Sequence, residues 1–209
     1  RDALKDNTGT NNTAVGYEAL KNSTTSNNNT AVGSQCLKSV TTAAYGNTAV
    51  GYKAGTSLTT GRDNVAMGRE AMQNSTSAHG NTAFGAYALK NPSSSGGNTA
   101  IGYQSLKNVA GGGQNNTAVG SSSLQSSTSG EENIAVGGAS LLTLTAGVGN
   151  TAIGYSSGRE TTTGNWNTSI GWKALYENTT GQFNVAVGYQ ALYTVTTQNN
   201  NVAVGYKTG

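Results

Sequence analysis

Few side chains in this 209-residue chain could do chemistry. The single histidine, His79, stands beside Gly80, and no serine, cysteine or carboxylate is placed to complete a nucleophile–base pair with it, so it reads as an exposed loop residue. The nine carboxylates are Asp2, Asp6, Glu18, Asp63, Glu70, Glu131, Glu132, Glu160 and Glu177. A glycoside hydrolase needs two acids a fixed distance apart, and apart from Glu131-Glu132 no acidic pair occurs. Nor do the acids recur at a spacing that would gather oxygens around calcium. Gly147-Val148-Gly149-Asn150-Thr151-Ala152 matches a dinucleotide fingerprint in form, but that motif needs a strand before it and a helix opening within it. Cys36 has no partner cysteine and reads as a small buried filler, leaving the redox compartment open. No catalytic residue, metal site or cofactor is expected.

Repetition dominates instead. Asn-(Thr/Val/Ile)-(Ala/Ser)-(Val/Ile/Met/Phe)-Gly occurs twelve times, starting at Asn12, Asn29, Asn47, Asn64, Asn81, Asn98, Asn116, Asn133, Asn150, Asn167, Asn184 and Asn201. Nine spacings are 17 residues and two are 18. A period so short and regular makes each repeat one coil of a solenoid, so residues 1–209 read as one all-β, parallel β-solenoid domain. The composition agrees: 10% charged, 34% hydrophobic and 30 glycines suit a thin, ladder-built structure better than a two-layer core. A formal charge of +3 argues against a nucleic-acid or membrane-surface binder. There is no apolar run of membrane-spanning length, and no charged-then-apolar leader opens the chain at Arg1.

Numbering each repeat from its asparagine, columns 2 and 4 are mostly β-branched, which predicts a strand with those columns pointing into the coil. Column 3, then on the outer face, is nevertheless uniform: Ala14, Ala31, Ala49, Ala66, Ala83, Ala100, Ala118, Ala135, Ala152, Ser169, Ala186 and Ala203. Outward uniformity predicts a second packing surface, here the contact face of a trimer. Column 5 is always Gly, at a corner. Columns 6 to 10, small at 8 and mostly Leu at 9, predict a second short strand, and columns 11 to 17, Thr-rich at 13 and 14, a return loop. Stacked at ~4.8 Å, twelve coils would span about 55–60 Å, with the asparagines forming an amide ladder. Ala3-Leu4-Lys5 fits a partial preceding coil and Gly209 falls in column 9, so the chain reads as part of a longer fibre.

Two sets of side chains are candidates for recognition. Lys21, Lys38, Lys90, Lys107 and Arg159 share column 10 and would line one edge, deterring lateral sheet aggregation or meeting anionic glycan. Eight of the fourteen aromatics lie between Tyr155 and Tyr206. Trp166 and Phe183 share column 17, and Tyr176 and Tyr193 share column 10, so each pair should stack, as a structural ladder or a sugar platform.

The repeats Asn12-Thr-Ala-Val-Gly-Tyr-Glu-Ala-Leu20 and Asn184-Val-Ala-Val-Gly-Tyr-Gln-Ala-Leu192 resemble the head repeats of YadA-like trimeric autotransporter adhesins and related repeats of phage tail fibres. The likeness covers essentially the whole chain, with a longer period that accommodates the Thr-Thr-Gly loop. It implies a left-handed parallel β-roll, a homotrimer, an extracellular place on a virion tail fibre or bacterial surface, and attachment to a cell-surface glycan or protein receptor without membrane insertion. An ice-binding solenoid with threonine ladders is the alternative.

Overall fold

The computed structural model describes residues 2–41 and 43–209; Arg1 and Thr42, a column 14 threonine, lie outside the described residues. Twelve strands run from β1 (Thr13–Val15) to β12 (Val202–Val204), three residues each, at columns 2 to 4 of every repeat. They form one parallel sheet in sequence order, in register column on column, so that Ala100 pairs with Ala118 and Ile101 with Val119. No helix occurs among the described residues. This is the parallel β-solenoid that the repeat predicts, with about eleven turns joining the strands.

Every coil is locked to its neighbours at column 1. The Asn116 backbone N–H and side-chain Nδ2 both donate to Asn98 Oδ1, at 3.0 and 3.1 Å, and Nδ2 also donates to Gly130 O at 2.8 Å. The backbone bond recurs at every step from Asn12 to Asn201 and the side-chain bond at every step except Asn98 to Asn81, and the central asparagines are buried. Burying an amide is costly unless its donors and acceptor are met, and here the ladder meets them without solvent.

The face assignment is the reverse of the one expected. Column 3 points into the coil: Ala31, Ala49, Ala83, Ala100, Ala118, Ala135, Ala152 and Ala186 are fully buried within a single chain. Ala66, Ser169 and Ala203 are buried too, while Ala14 is only partly so at the first coil. These alanines are therefore not a trimer face. Their uniformity comes from packing against the chain's own column 9 leucines: a Cβ added at Gly209, in that column, would lie 3.5 Å from Ala203 Cβ. A three-residue strand facing a leucine across so thin a coil has room for a methyl and little more. Columns 2 and 4 face outward, so that Val15, Phe84 and Val204 are 58%, 53% and 68% exposed. Strict alternation identifies two faces but does not label which is inside.

Columns 6 to 10 also differ from expectation, forming turns instead of a second strand. Columns 7 and 9 take positive φ, as at Gln104 (56°) and Leu106 (48°). Left-handed φ is unfavourable for a leucine, but its full burial repays it here. The turns still bond coil to coil: Gln104 N–H donates to Ala86 O at 3.0 Å and Leu106 N–H to Ser123 O at 2.9 Å. Column 5 needs glycine because a Cβ on Gly102 (φ +132°) would stand 2.6 Å from Gly120 O.

Two variants separate the buried ladder from an exposed one. Asn116→Ala strands the groups that Asn116 satisfies, at about 1–3 kcal/mol for each unpaired polar group. Asn74→Ala removes an exposed amide bond to Asn91 and should cost well under about 1 kcal/mol. Urea denaturation of both variants checks the difference, and equal losses would contradict the ladder's role.

Candidate functional site

The corner that follows each strand brings column 10 beside column 7, and this changes the character of the basic edge. Lys21 and Lys38 both reach Glu18, at 2.6 and 2.7 Å, and Lys90 reaches Glu70 at 2.8 Å. Arg159 pairs with Glu160 and donates to the Tyr176 hydroxyl at 3.0 Å. Lys107 is half-buried and pairs with no carboxylate among the described residues. The edge is thus largely paired internally: three acids, Glu18, Glu70 and Glu160, meet four of its five cations, from three residues earlier, from a coil away or from the next position. Glu18 is buried between its two lysines, and the charge-assisted bonds from Lys21 first and Lys38 second hold its carboxyl at a pKa of about 2. The same carboxylate raises the pKa of Lys21.

The aromatic columns stack as their spacing predicts. Trp166 and Phe183 lie 5.0 Å apart between centroids, 13° from parallel, and both are about half exposed. Tyr176 and Tyr193 are parallel at 5.1 Å. A third ladder, absent from the two pairs expected, runs along column 6: Trp172 on Tyr189 at 4.7 Å, and Tyr189 on Tyr206 at 5.2 Å. Lys173 Nζ sits 4.6 Å from the Trp172 ring and 4.9 Å from the Tyr176 ring, tying the two corner ladders to a cation. Stacking along the solenoid axis covers ring faces mutually, so edges and the outermost faces are what such ladders offer a ligand.

Other candidates resolve into architecture. His79 is exposed, and its Nδ1 accepts the Arg62 backbone N–H at 3.1 Å, one more link between coils. Residues 147–152 run from a turn into β9 (Thr151–Ile153), with no helix to seat a pyrophosphate. Cys36 is fully buried, its thiol donating to Ala49 O at 3.1 Å, and burial pushes its pKa up to about 12. Column 13 hydroxyls donate to the carbonyl of the next coil, for example Thr145 to Thr162 O at 3.0 Å. Among the described residues, no group of three or more His, Cys, Asp and Glu side chains could hold a metal ion, and no helix is long and apolar enough to cross a membrane.

Comparison with known protein families, curated proteins and solved structures finds no match to the chain.

Because the Glu18 pKa is lowered on folding, its ion pairs contribute stability above the ordinary glutamate range and lose it as pH falls toward about 2. Thermal unfolding between pH 7 and 2 should therefore show Glu18→Gln less stable at neutral pH, the gap narrowing with acid. A gap independent of pH would contradict the pairing.

Proposed function

We propose that the chain is a structural fibre segment, a left-handed solenoid assembled as a homotrimer and projecting from a virion tail fibre or a bacterial surface to attach to a host or cell-surface receptor. The observation that carries the assembly is column 4, where the solenoid turns a row of Val, Ile, Met and Phe outward along the parallel sheet. Ile101, Ile153 and Ile170 are 40%, 40% and 37% exposed, in the middle of the coil series. Isolated apolar residues on a surface are ordinary, whereas a continuous stripe on an in-register sheet favours association. Other copies of the same stripe are a fitting cover: all copies share the ~4.8 Å coil spacing, so three could pack about an axis in phase. The resemblance to adhesin-head and tail-fibre repeats supports the same reading. Three copies would also multiply any weak receptor contact through avidity. The segment acts through binding and span, without turnover.

A second reading draws on column 2. With that column turned outward, Thr13, Thr30, Thr48, Thr82, Thr99, Thr117, Thr151 and Thr168 stand on the sheet face beside the column 4 methyl groups, a regular hydroxyl array of the kind an ice binder presents. The array is broken at Val65, Ile134, Val185 and Val202, and Phe84 and Met67 roughen its neighbour column, so the fibre reading is preferred.

Light scattering of the purified segment should give three times the chain mass, and Ile101→Lys with Ile153→Lys should give a folded monomer. A monodisperse, folded, unmodified monomer would contradict the assembly. Thermal hysteresis in that monomer would support the ice-binding reading.

A further inference from the structure

The residue just before each repeat asparagine, column 17 in the 17-residue repeats, takes positive φ at every coil junction from Asn11 to Asn200, and most residues there are suited to it: Asn, Asp and Gly, with Glu132 the one exception besides two aromatics. Trp166 (φ 50°) and Phe183 (φ 59°) are those two. Left-handed leucines in column 9 are compensated by full burial, but these rings stand in solvent, so the core gives no reason for them. The coil before them accommodates the pair: a Cβ on Gly149 would stand 2.7 Å from Trp166 Cδ1, so glycine provides the indole's seat. Phe183 then covers the other side of Trp166, and the residue that would continue the stack is Asn200, an exposed side chain too short to cover a phenyl face.

The surroundings narrow the ligand. Asn165 Oδ1 accepts the Val148 N–H at 2.7 Å and Asn199 Oδ1 accepts the Gln182 N–H at 2.7 Å. Each carboxamide is pinned through its oxygen, leaving its Nδ2 hydrogens as oriented donors one residue before Trp166 and one before Asn200. The return loops 145–149, 162–166, 179–183 and 196–200 contain no Asp, Glu, Lys or Arg, while earlier loops carry Arg62, Asp63, Glu131 and Glu132. Thr163, Thr180 and Thr197 add exposed hydroxyls. A pyranose offers the complement, an apolar C–H face for the phenyl and a rim of hydroxyls for amides, whereas an anionic sugar would find no counter-charge here. The corner ladder at Tyr176 is a different surface, with Arg159 and Lys173 against its ring.

We infer that Trp166 and Phe183, with the pinned amides of Asn165 and Asn199, form a subsite for one uncharged pyranose of a surface glycan, stacked on the free face of Phe183. This rests on the attachment reading and assigns its contact to one loop face. It also divides the four candidate aromatics, placing sugar contact at Trp166 and Phe183 and leaving Tyr176 and Tyr193 to the structural ladder.

The test is affinity chromatography of the assembled segment on agarose, dextran and mannan, with heparin as the anionic comparison, for the unmodified protein, Trp166→Asn with Phe183→Asn, and Tyr193→Ser. Asparagine stands at the same junction position, just before the repeat asparagine, at Asn11, Asn28, Asn115 and Asn200, so the double variant should keep its thermal midpoint. The unmodified protein should be retarded on at least one uncharged resin, insensitive to salt. The double variant should bind roughly tenfold more weakly or not at all, and Tyr193→Ser should bind as the unmodified protein does. Retention on heparin alone, on no resin, or unchanged in the double variant would overturn the subsite. Loss of assembled mass in the double variant would also overturn it, assigning the rings to a contact between copies. Cell attachment that survives any of these failures would leave the fibre reading standing.

Discussion

The asparagine ladder is the interaction on which the rest depends. From Asn29 to Asn201 each column 1 backbone N–H donates to the amide oxygen of the asparagine one coil earlier, and at most steps the side-chain nitrogen joins it and also satisfies a carbonyl of the return loop, so the register of every coil is set by the one before it. The two longer repeats show the strength of this constraint. Across 18 residues, the Asn47 N–H still donates to Asn29 Oδ1 at 3.0 Å, the same distance as Asn81 to Asn64 across 17. The extra residue is absorbed outside the ladder, which is why a three-residue strand can stay in phase over twelve coils.

Once register is set, a narrow interior dictates the rest. Column 3 must be small because a leucine arrives from the turn. That leucine reaches inward only because its backbone adopts positive φ, and column 5 must be glycine because the coils approach too closely for a Cβ. Side chains excluded from this interior then appear outside in unbroken columns. Successive coils of such a molecule therefore differ on the outside by which columns change character, and where along the axis they do so.

How far the sequence discloses this varies by element. The period, the parallel in-register sheet, the amide ladder and the stacking of Trp166 on Phe183 were legible, because repetition places like residues at like heights. The orientation of the strand was not: alternation at Thr99-Ala100-Ile101 is the same whichever parity faces inward, and hydrophobicity favoured the wrong one. The turn at columns 6 to 10 was hidden because Leu106 carries no local sign of a left-handed backbone. The basic edge misled for a related reason, since the acids that neutralise Lys38 and Lys90 lie 20 residues earlier, at Glu18 and Glu70, and only the turn brings them alongside. The aromatic corner at Trp172, Tyr189 and Tyr206 was readable in column 6 from its four successive rings beginning at Tyr155.

The central claim is that adjacent strand residues face opposite worlds, one the coil's own interior and the next an outer surface that we propose other copies of the chain cover. Thiol labelling of Ala100→Cys and Ile101→Cys, each with the buried Cys36 as internal reference, tests it most directly. The account predicts that a cysteine at position 100 stays unlabelled until the protein unfolds. A cysteine at 101 should be protected in the assembled protein and label rapidly when dilution releases folded monomer. Rapid labelling at 100 in the folded chain, or at 101 in the assembled protein, would contradict it.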